Sequence, residues 1–386
     1  MRSGSSSFDT DTGPSVLFVD LDRFSTDQIQ PRTQLVSEAL RHRGMLVAAV
    51  SLSSRIRKDR QPRFGLSVVT RIIATLRGWR RTLSAVRRHD CIHLEFDLAN
   101  HSVFSGLFLL AVSGYLGKRS VIALSTVHAD RITGLRGLAL GRMLRAASAV
   151  VVGSEEAERQ LDRLNVKVKV VPMLALARES KTYSNSVQPR LALAAPVDPA
   201  ILRSIIRGLA LAKRKYPRSE LAVIGNRDEI RTVKSHLAGM SLNGVELVSC
   251  ENDRKVILAL CSCDFYLESS PQADPTPALV EALALGMPII SIDTAGIANS
   301  ITHGVSGLEV AAGDHVDLAN RLCELVESIE LVHILSTGAL TLAKPHERSA
   351  VGAAWAQLYA TISMSGYPTP EWPRRISPQY HTTVKA

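Results

Sequence analysis

The first recognisable pattern in the chain begins with a short apolar run. A segment whose apolar residues recur at helical spacing follows, and then a second apolar run. Residues Ser15 to Asp20 read SVLFVD, which is typical of a buried β-strand. From about Gln30 to His42, apolar residues recur on one helix face, and Met45 to Ser51 is the next strand-like run. A strand, a helix and a strand joined by short connections indicate the βαβ unit of a doubly wound α/β domain.

This alternation continues to residue 172 and starts again at residue 190. In the first half, further strands are predicted over Cys91 to Phe96, Ser120 to Ser125, Ala147 to Gly153 and Lys167 to Pro172. In the second half, they are predicted over Arg190 to Ala195, Leu221 to Ile224, Val245 to Ser249, Asp264 to Leu267 and Ile289 to Ile292. The pattern therefore predicts an α/β chain with two Rossmann-like doubly wound domains.

The domain boundaries follow from these predicted elements. The first domain is expected over residues 15–177, a polar linker over 178–189 and the second domain over 190–348. A last helix over 349–364 carries Trp355, Leu358, Tyr359 and Ile362 on one face, which favours a packing role. The ends of the chain, residues 1–14 and 365–386, are predicted to be flexible.

The composition of the 386 residues, 46% apolar and 21% charged, is that of a globular protein. The formal net charge of +10 is unevenly distributed. Residues 1–189 hold 28 lysines and arginines against 16 acidic residues, whereas residues 190–386 hold 18 against 20. A basic first domain beside a nearly neutral second domain suggests that the two bind different partners.

The five cysteines are odd in number and lack C-x-x-C spacing, so we expect reduced packing residues in a cytosolic protein and no metal site. The first residues are polar and acidic, unlike a signal peptide. The most apolar run, Val103 to Tyr115, is shorter than the roughly twenty residues of a membrane span. A core helix is the expected structure there.

The most basic segment, Arg55 to Arg88, contains eleven arginines or lysines and one acid. Its apolar residues recur at helical spacing, and Arg77, Arg81 and Arg88 form a row on the opposite face. Two interpretations stay open: a core-facing helix with an arginine-rich polar face, or a surface for anionic lipid head groups or the diphosphate of a lipid-linked acceptor. No aromatic interleaving or known module supports nucleic-acid binding.

The stretch from Glu268 to Val310 is the richest in candidate chemistry. A strand is predicted to end near Leu267, and after a turn-rich loop Thr276 and Pro277 open a helix. A hydroxyl residue followed by proline at the first helical position is a strong start signal. The remaining amides of the first turn, at the positive end of the helix dipole, form a favourable site for phosphate.

This stretch resembles the donor-binding signature of the large retaining family of GT-B glycosyltransferases, glycosyl transferases group 1. Ser270 lies at the signature serine, Glu281 opens the E-A-L-A core, and Gly286 begins the G-x-P entry into the next strand. Downstream, Gly296 and the HGVSG of His303 to Gly307 fit two turns of the family. This part carries most of the resemblance.

The first half resembles the same family more distantly. Asp90 and His93 match a D-x-(I/V)-H strand, and the loop from Thr126 to Asp130 is similar to the T-x-H or H-D element. Ser154 with Glu155 matches an S-E helix start, where we expect a structural N-cap.

The resemblance implies a GT-B fold whose two Rossmann-like domains face a cleft, with the last helix crossing back onto the first domain. It further implies retaining transfer of a sugar from a nucleotide diphosphate sugar without a metal ion. Glu281 would bind the ribose hydroxyls and helix amides would meet the phosphates. The implied donor-binding residues are Glu281, Thr276, Ala278, Leu279, Gly225 and Ser270.

Two catalytic candidates come from the same resemblance. His128 would face the reacting sugar from the first domain. The first glutamate of the family's E-x7-E spacing falls on Ala273, so Asp274, one residue later, is the candidate replacement; an acidic helix cap is the equally open alternative. The acceptor would be a lipid-linked or oligosaccharide chain in surface or extracellular polysaccharide biosynthesis. The protein itself is expected on the cytoplasmic side, bound peripherally to the inner face of the membrane.

A second departure concerns the cations that hold the donor diphosphate in relatives. The family's lysine position falls near Ala200, and only Arg203 or Arg207 could replace the missing arginine and lysine. This favours an alternative function, that of a degenerate, non-catalytic GT-B partner of polysaccharide-assembly enzymes. A nucleotide-sugar hydrolase or epimerase is a third possibility.

Overall fold

The computed structural model describes residues 15–20, 31–51, 79–96, 103–124, 134–166, 168–177, 179–183, 189–238, 243–270, 275–292 and 301–363. These residues form two six-stranded parallel sheets with helices between successive strands. The predicted α/β class with two doubly wound domains is confirmed.

The first sheet is built from the basic half of the chain. Its strands are β1 (Ser15–Asp20), β2 (Leu46–Ser51), β3 (Cys91–Phe96), β4 (Arg119–Leu124), β5 (Ala149–Val152) and β6 (Val168–Val170). Its helices are α1 (Pro31–Arg41), α2 (described over residues 79–88), α3 (Val103–Tyr115), α4 (Gly134–Ala146) and α5 (Glu155–Leu161). The strand order is β2-β1-β3-β4-β5-β6. All the strands predicted in this half are confirmed to within a residue or two.

The second sheet is built after residue 189. Its strands are β7 (Arg190–Ala194), β8 (Glu220–Gly225), β9 (Val245–Ser249), β10 (Phe265–Glu268), β11 (Ile289–Ile292) and β12 (Leu308–Val310). The helices are α6 (Pro199–Ala212), α7 (Arg227–His236), α8 (Asp253–Cys261), α9 (Pro277–Ala284), α10 (His315–Glu327), α11 (Ile329–Ala343) and α12 (Arg348–Ser363). The strand order is β12-β11-β10-β7-β8-β9, and each predicted strand of this half is confirmed.

Both faces of the second sheet are covered by helices, which explains why its central strands are continuously apolar. All four residues of β11 are buried. On β10, Phe265 and Leu267 pack into the core shared with α6 and α10, whereas Tyr266 packs on the opposite face with residues of α8 and α9. Successive side chains of a strand alternate between faces, so Glu268 lies on the same face as Tyr266.

Side-chain caps fix where six of the helices described in this half, α6 to α11, begin. Each cap residue accepts a hydrogen bond from an amide of the first helical turn, which would otherwise have no partner. The capping residues are Asp198, Asn226, Asn252, Thr276, Asp314 and Ser328. In the first half, Ser154 caps α5 through the amide of Ala157, as predicted.

Helix α12 lies against the first sheet, although it follows the second sheet in sequence. Its Trp355, Leu358 and Tyr359 share an apolar core with residues of β1 and β3. Within that core, the Nδ1 atom of His93 shares a hydrogen bond with the Tyr359 hydroxyl, and the ring of His93 stacks on Phe18 at 4.3 Å between centroids. His93 therefore belongs to the packing between α12 and the first sheet.

Helix α11 has no counterpart in the elements predicted from the sequence. It packs along α9 and against the turn over residues 302–307. A Cβ atom at Gly338 would lie 2.0 Å from the carbonyl oxygen of Val305, so only glycine permits this approach. At the end of α9, Gly286 has a φ of +69°, the left-handed conformation that favours glycine after a helix.

Among the described residues, no single helix has both the length and the apolar character of a membrane span. One pair passes the same criteria only when counted together, namely α10 with the chain from Ile329 to Ile362, and the two are bent by 102°.

Candidate functional site

The carboxyl ends of β7, β8, β10 and β11 meet at one edge of the second sheet, because all four strands run in the same direction. In an open α/β sheet, ligands bind at this edge. Helix α9 begins there, with Thr276 as its N-cap and Pro277 as its first residue, as the sequence predicts.

As far as the described residues show, the first turn of α9 offers one unbonded amide. The Thr276 hydroxyl accepts a hydrogen bond from the Leu279 amide at 3.1 Å. The Ala278 amide, by contrast, has no acceptor within the described part of the chain. Of the two, the Ala278 amide is therefore better placed to donate to a phosphate oxygen. Phosphate binding by the Leu279 amide stays a prediction, and it requires that amide to give up its hydrogen bond to the Thr276 hydroxyl.

Glu281 lies one turn further along α9 and is buried, with 1% of its surface exposed. Its Oε2 atom accepts hydrogen bonds from the amides of Leu176 at 2.9 Å and Ala177 at 2.8 Å, and its Oε1 atom accepts from Leu176 at 3.1 Å. The contact seen for this carboxylate is thus with the segment that follows the first sheet. Ribose binding by Glu281 stays a prediction.

The segment over residues 173–183 makes further hydrogen bonds to the second domain. The Ala175 amide donates to the carbonyl of His346 at 2.9 Å, and the Nδ1 atom of His346 lies 2.7 Å from the carbonyl of Met173. The Lys181 amide donates to the carbonyl of Leu285 at 2.8 Å. Together with Glu281, these bonds position the connection between the two sheets on the surface of α9.

A buried acid that the sequence reasoning missed, Glu268, is the last residue of β10. The strand was predicted to end near Leu267, which would have placed Glu268 in a loop; it is instead 3% exposed. Its Oε1 atom accepts a hydrogen bond from the Ser270 amide at 2.6 Å. Its Oε2 atom is buried without a hydrogen-bond partner of normal geometry among the described residues.

The surroundings of Glu268 favour its neutral form. Burial raises the pKa of Glu268 to about 7, and this outweighs the lowering effect of the Ser270 amide, the Tyr266 hydroxyl and the Ser269 amide. The Tyr266 hydroxyl also interacts with the side chain of Thr276, and burial raises the pKa of Tyr266 well above its ordinary value. A chain of polar groups thus connects Glu268 to the N-cap of α9.

Two further residues implied to bind the donor lie at this edge. Ser270 is 8% exposed, and its amide orients Glu268. Gly225 ends β8, and a Cβ atom there would come within 2.9 Å of Ala195 and of the Glu229 carboxylate. The packing of the chain itself therefore requires glycine at position 225, and close approach of a donor to it stays a prediction.

The N-terminus of α6, where relatives carry a lysine, is occupied by an acid. The carboxylate of Asp198 accepts hydrogen bonds from the amides of Ala200 at 2.7 Å and Ile201 at 3.2 Å. Arg203 and Arg207, the two candidate replacements for the missing cations, are exposed on this helix. Within the described ranges, neither side chain has a hydrogen bond or ion pair that holds it toward the start of α9.

Both catalytic candidates, His128 and Asp274, lie outside the described residues, as does Ala273. The basic segment from Arg55 to Arg88 is described only from residue 79 onward. Within the described ranges, no group of three or more histidine, cysteine, aspartate or glutamate side chains is arranged to hold a metal ion.

The part of the chain that contains this site matches a known family. The family model described as Glycosyl transferases group 1 matches residues 200–328, which include α6, β8, β10 and α9. These residues are therefore similar in sequence to the group 1 glycosyl transferases. No curated protein matches the chain.

Solved structures show the same fold over nearly the whole chain. HepE of Anabaena, solved in complex with UDP-glucose, has a TM-score of 0.63 at 14% identity, and the match covers 90% of this chain and 99% of that one. Sucrose-phosphate synthase from Thermosynechococcus elongatus has a TM-score of 0.64 at 15% identity, with 92% and 100% covered. A glycosyltransferase from Rickettsia africae has a TM-score of 0.62 at 13% identity, with 91% and 99% covered. The chain thus has the GT-B fold of these proteins.

Proposed function

We propose that this protein is a glycosyltransferase that moves a sugar from a nucleotide diphosphate sugar to a lipid-linked or saccharide acceptor, with retention at the anomeric carbon. The observation that carries the proposal is the match of residues 200–328 to the group 1 glycosyl transferases, with α9 opening at the ligand-binding edge of its sheet. Structures of HepE with UDP-glucose, and with UDP and glucose, support a nucleotide-sugar donor.

The described residues would act mainly on the leaving diphosphate. As the bond from the anomeric carbon to the phosphate oxygen breaks, negative charge grows on the departing nucleoside diphosphate. The oxygen of the acceptor hydroxyl bonds to that carbon, and the hydroxyl proton passes to the departing diphosphate. The Ala278 amide and the dipole of α9 would stabilise that charge without a metal ion. Donor contacts by Thr276, Leu279, Gly225, Ser270 and Glu281 belong to the same proposal.

The catalytic part of the proposal rests on residues whose structure is not described. We propose that His128 faces the transferred sugar from the first domain and that Asp274 takes the place of the family's first glutamate. These assignments rest on the sequence resemblance alone.

A screen of nucleotide sugars, with release of nucleoside diphosphate as readout, tests this function without knowledge of the acceptor. One donor of a panel of UDP-, GDP- and ADP-sugars is expected to be hydrolysed slowly, with and without EDTA. Proton NMR of the first product should show the sugar in the anomeric configuration of the donor. Inversion would overturn retention, and failure with every donor would overturn the proposed reaction.

The alternative of a non-catalytic partner protein is favoured by the N-terminus of α6. There the carboxylate of Asp198 accepts hydrogen bonds from two helix amides, at a position where relatives hold the donor diphosphate with a cation. Binding of a nucleotide sugar without any turnover, in the presence of saccharide and lipid-linked acceptors, would favour this second function.

We also propose that the first domain binds an anionic membrane surface, on the cytoplasmic side, through α2 and α3. Arg80, Arg81, Arg87 and Arg88 are exposed on α2. The neighbouring α3 exposes Phe108 at 49% and Tyr115 at 91%, and the ring of Trp79 on α2 contacts that of Phe108 at 5.0 Å between centroids. Arginines beside exposed aromatic rings suit a lipid interface.

Vesicle flotation measures this membrane association. The protein is expected to float with phosphatidylcholine vesicles that contain phosphatidylglycerol and to remain unbound without it. Changing both Arg80 and Arg81 to Glu should reduce flotation severalfold, since each basic residue contributes about 1 kcal/mol near an anionic surface. The matched control changes Arg227 and Arg231 of α7, exposed on the second domain, to Glu. Equal flotation of the two variants would contradict the assigned surface.

A further inference from the structure

The buried carboxyl of Glu268 lies at the mouth of the proposed donor site. It ends β10 beside Ser291 of β11, at the edge of the sheet where α9 begins. Through the Tyr266 hydroxyl it is connected to Thr276, the N-cap of α9. Oε1 is held by the Ser270 amide, while the buried Oε2 lacks a partner of normal geometry among the described residues.

A buried polar atom without a partner is costly, and such an atom at a ligand-binding edge points to a group that the ligand supplies. Besides the Ser270 amide, the Tyr266 hydroxyl on the same strand and the Ser269 amide interact with the Glu268 carboxyl. Ser291 of β11 is the register partner of Glu268, and Thr276 at the start of α9 interacts with Tyr266. No charged side chain among the described residues shifts the pKa of Glu268. Among the described residues, the carboxyl therefore has no cation to hold its charge, and its Oε2 atom has no hydrogen bond of normal geometry.

A diphosphate placed on the first turn of α9 would add negative charge near this carboxyl. An ionised Glu268 would then be repelled, whereas the neutral acid can donate a hydrogen bond from Oε2 to a phosphate or sugar oxygen. A neutral donor would also suit a site in which α6 presents Asp198 instead of a lysine.

We propose that Glu268 is a donor-binding residue that binds the nucleotide diphosphate sugar as the neutral acid, so that donor binding takes up a proton. This inference rests on the proposed function. A purely structural Glu268, which only orients the Ser270 amide, would leave donor binding without any proton uptake at this group.

Calorimetry separates the two roles. UDP-, GDP- and ADP-glucose are suitable probes because a diphosphate diester does not titrate near neutral pH. Binding enthalpy measured at pH 8 in two buffers of different ionisation enthalpy gives the number of protons taken up. We expect close to one proton for the wild type, and an affinity that falls about tenfold per pH unit above about pH 7.

The variant Glu268→Gln keeps an acceptor for the Ser270 amide and a donor at the other position, but it does not titrate. It is expected to bind the same nucleotide sugar with no proton uptake and little dependence on pH. The second variant, Tyr266→Phe, removes a hydroxyl that lowers the pKa of Glu268, so the fall in affinity should move to higher pH.

Binding by the wild type without proton uptake, or equal uptake by wild type and Glu268→Gln, would overturn this inference alone. If Glu268→Gln does not fold, an unchanged pH midpoint for Tyr266→Phe would have the same consequence. Absence of binding by the wild type at every pH would overturn the proposed function and this inference together.

Discussion

Replacing Glu281 with alanine is expected to lower the free energy of unfolding by roughly 3–5 kcal/mol. The change removes a carboxylate that is 1% exposed and leaves the partly buried amides of Leu176 and Ala177 without their acceptor. Each buried donor without a partner costs about 1–3 kcal/mol, and the loss of packing adds to this. Urea denaturation followed by circular dichroism measures the difference.

The matched control for this prediction is Glu246→Ala, which removes the same charge from the same domain. Glu246 is 57% exposed and pairs with Arg190, so its loss is expected to change stability by no more than about 1 kcal/mol. If the two variants were equally stable, the contact between α9 and the segment over residues 173–177 would not contribute to folding in the way the structure indicates.

Acid is expected to destabilise the protein through His93. Burial lowers the pKa of His93 from 6.5 to about 3, because the charged ring would be taken out of water. Below about pH 6.5, His93 binds a proton in the unfolded chain but not in the folded chain. Its contribution to the free energy of unfolding is therefore at its maximum above that pH. It is lost as the pH falls toward 3, by about 1.4 kcal/mol per pH unit.

The variant His93→Asn tests this prediction, since asparagine can keep a hydrogen bond to Tyr359 but does not titrate. Its stability at pH 7 should be lower, because the ring of His93 packs on Phe18. Between pH 6.5 and 4.5, however, the variant should lose roughly 2–3 kcal/mol less than the wild type. Parallel stability curves for the two proteins in urea titrations would contradict a neutral, buried His93.

Much of the fold could be predicted because buried parallel strands are short apolar runs. The sequence alone predicts β1, β3, β9 and β11 with the bounds that the structure has. Helices α4 and α11 were not predicted from the sequence. Three glycines, Gly134, Gly137 and Gly141, lower the helix propensity of α4, and α11 is apolar around much of its circumference, so no single face marks it as a helix.

The candidate site could be predicted only in part. A cap is a local feature, and Thr276 with Pro277 was sufficient to locate the start of α9. The partner of Glu281 lies 105 residues away at Leu176, and no local pattern reports such a contact. Glu268 was missed because acids are rarely buried, so a strand prediction stops before one.

The central claim, that the start of α9 binds the diphosphate of a nucleotide sugar, is tested most directly by titration calorimetry on Thr276→Asp. Aspartate is a good N-cap, so α9 should remain folded, but its charge would repel the diphosphate. The control is Ser328→Asp, the same kind of change at the N-cap of α11. The wild type and Ser328→Asp are expected to bind one donor of the panel equally, and Thr276→Asp at least about tenfold more weakly, or about 1.4 kcal/mol. Equal binding by all three proteins, or no binding by the wild type at millimolar ligand, would contradict the claim.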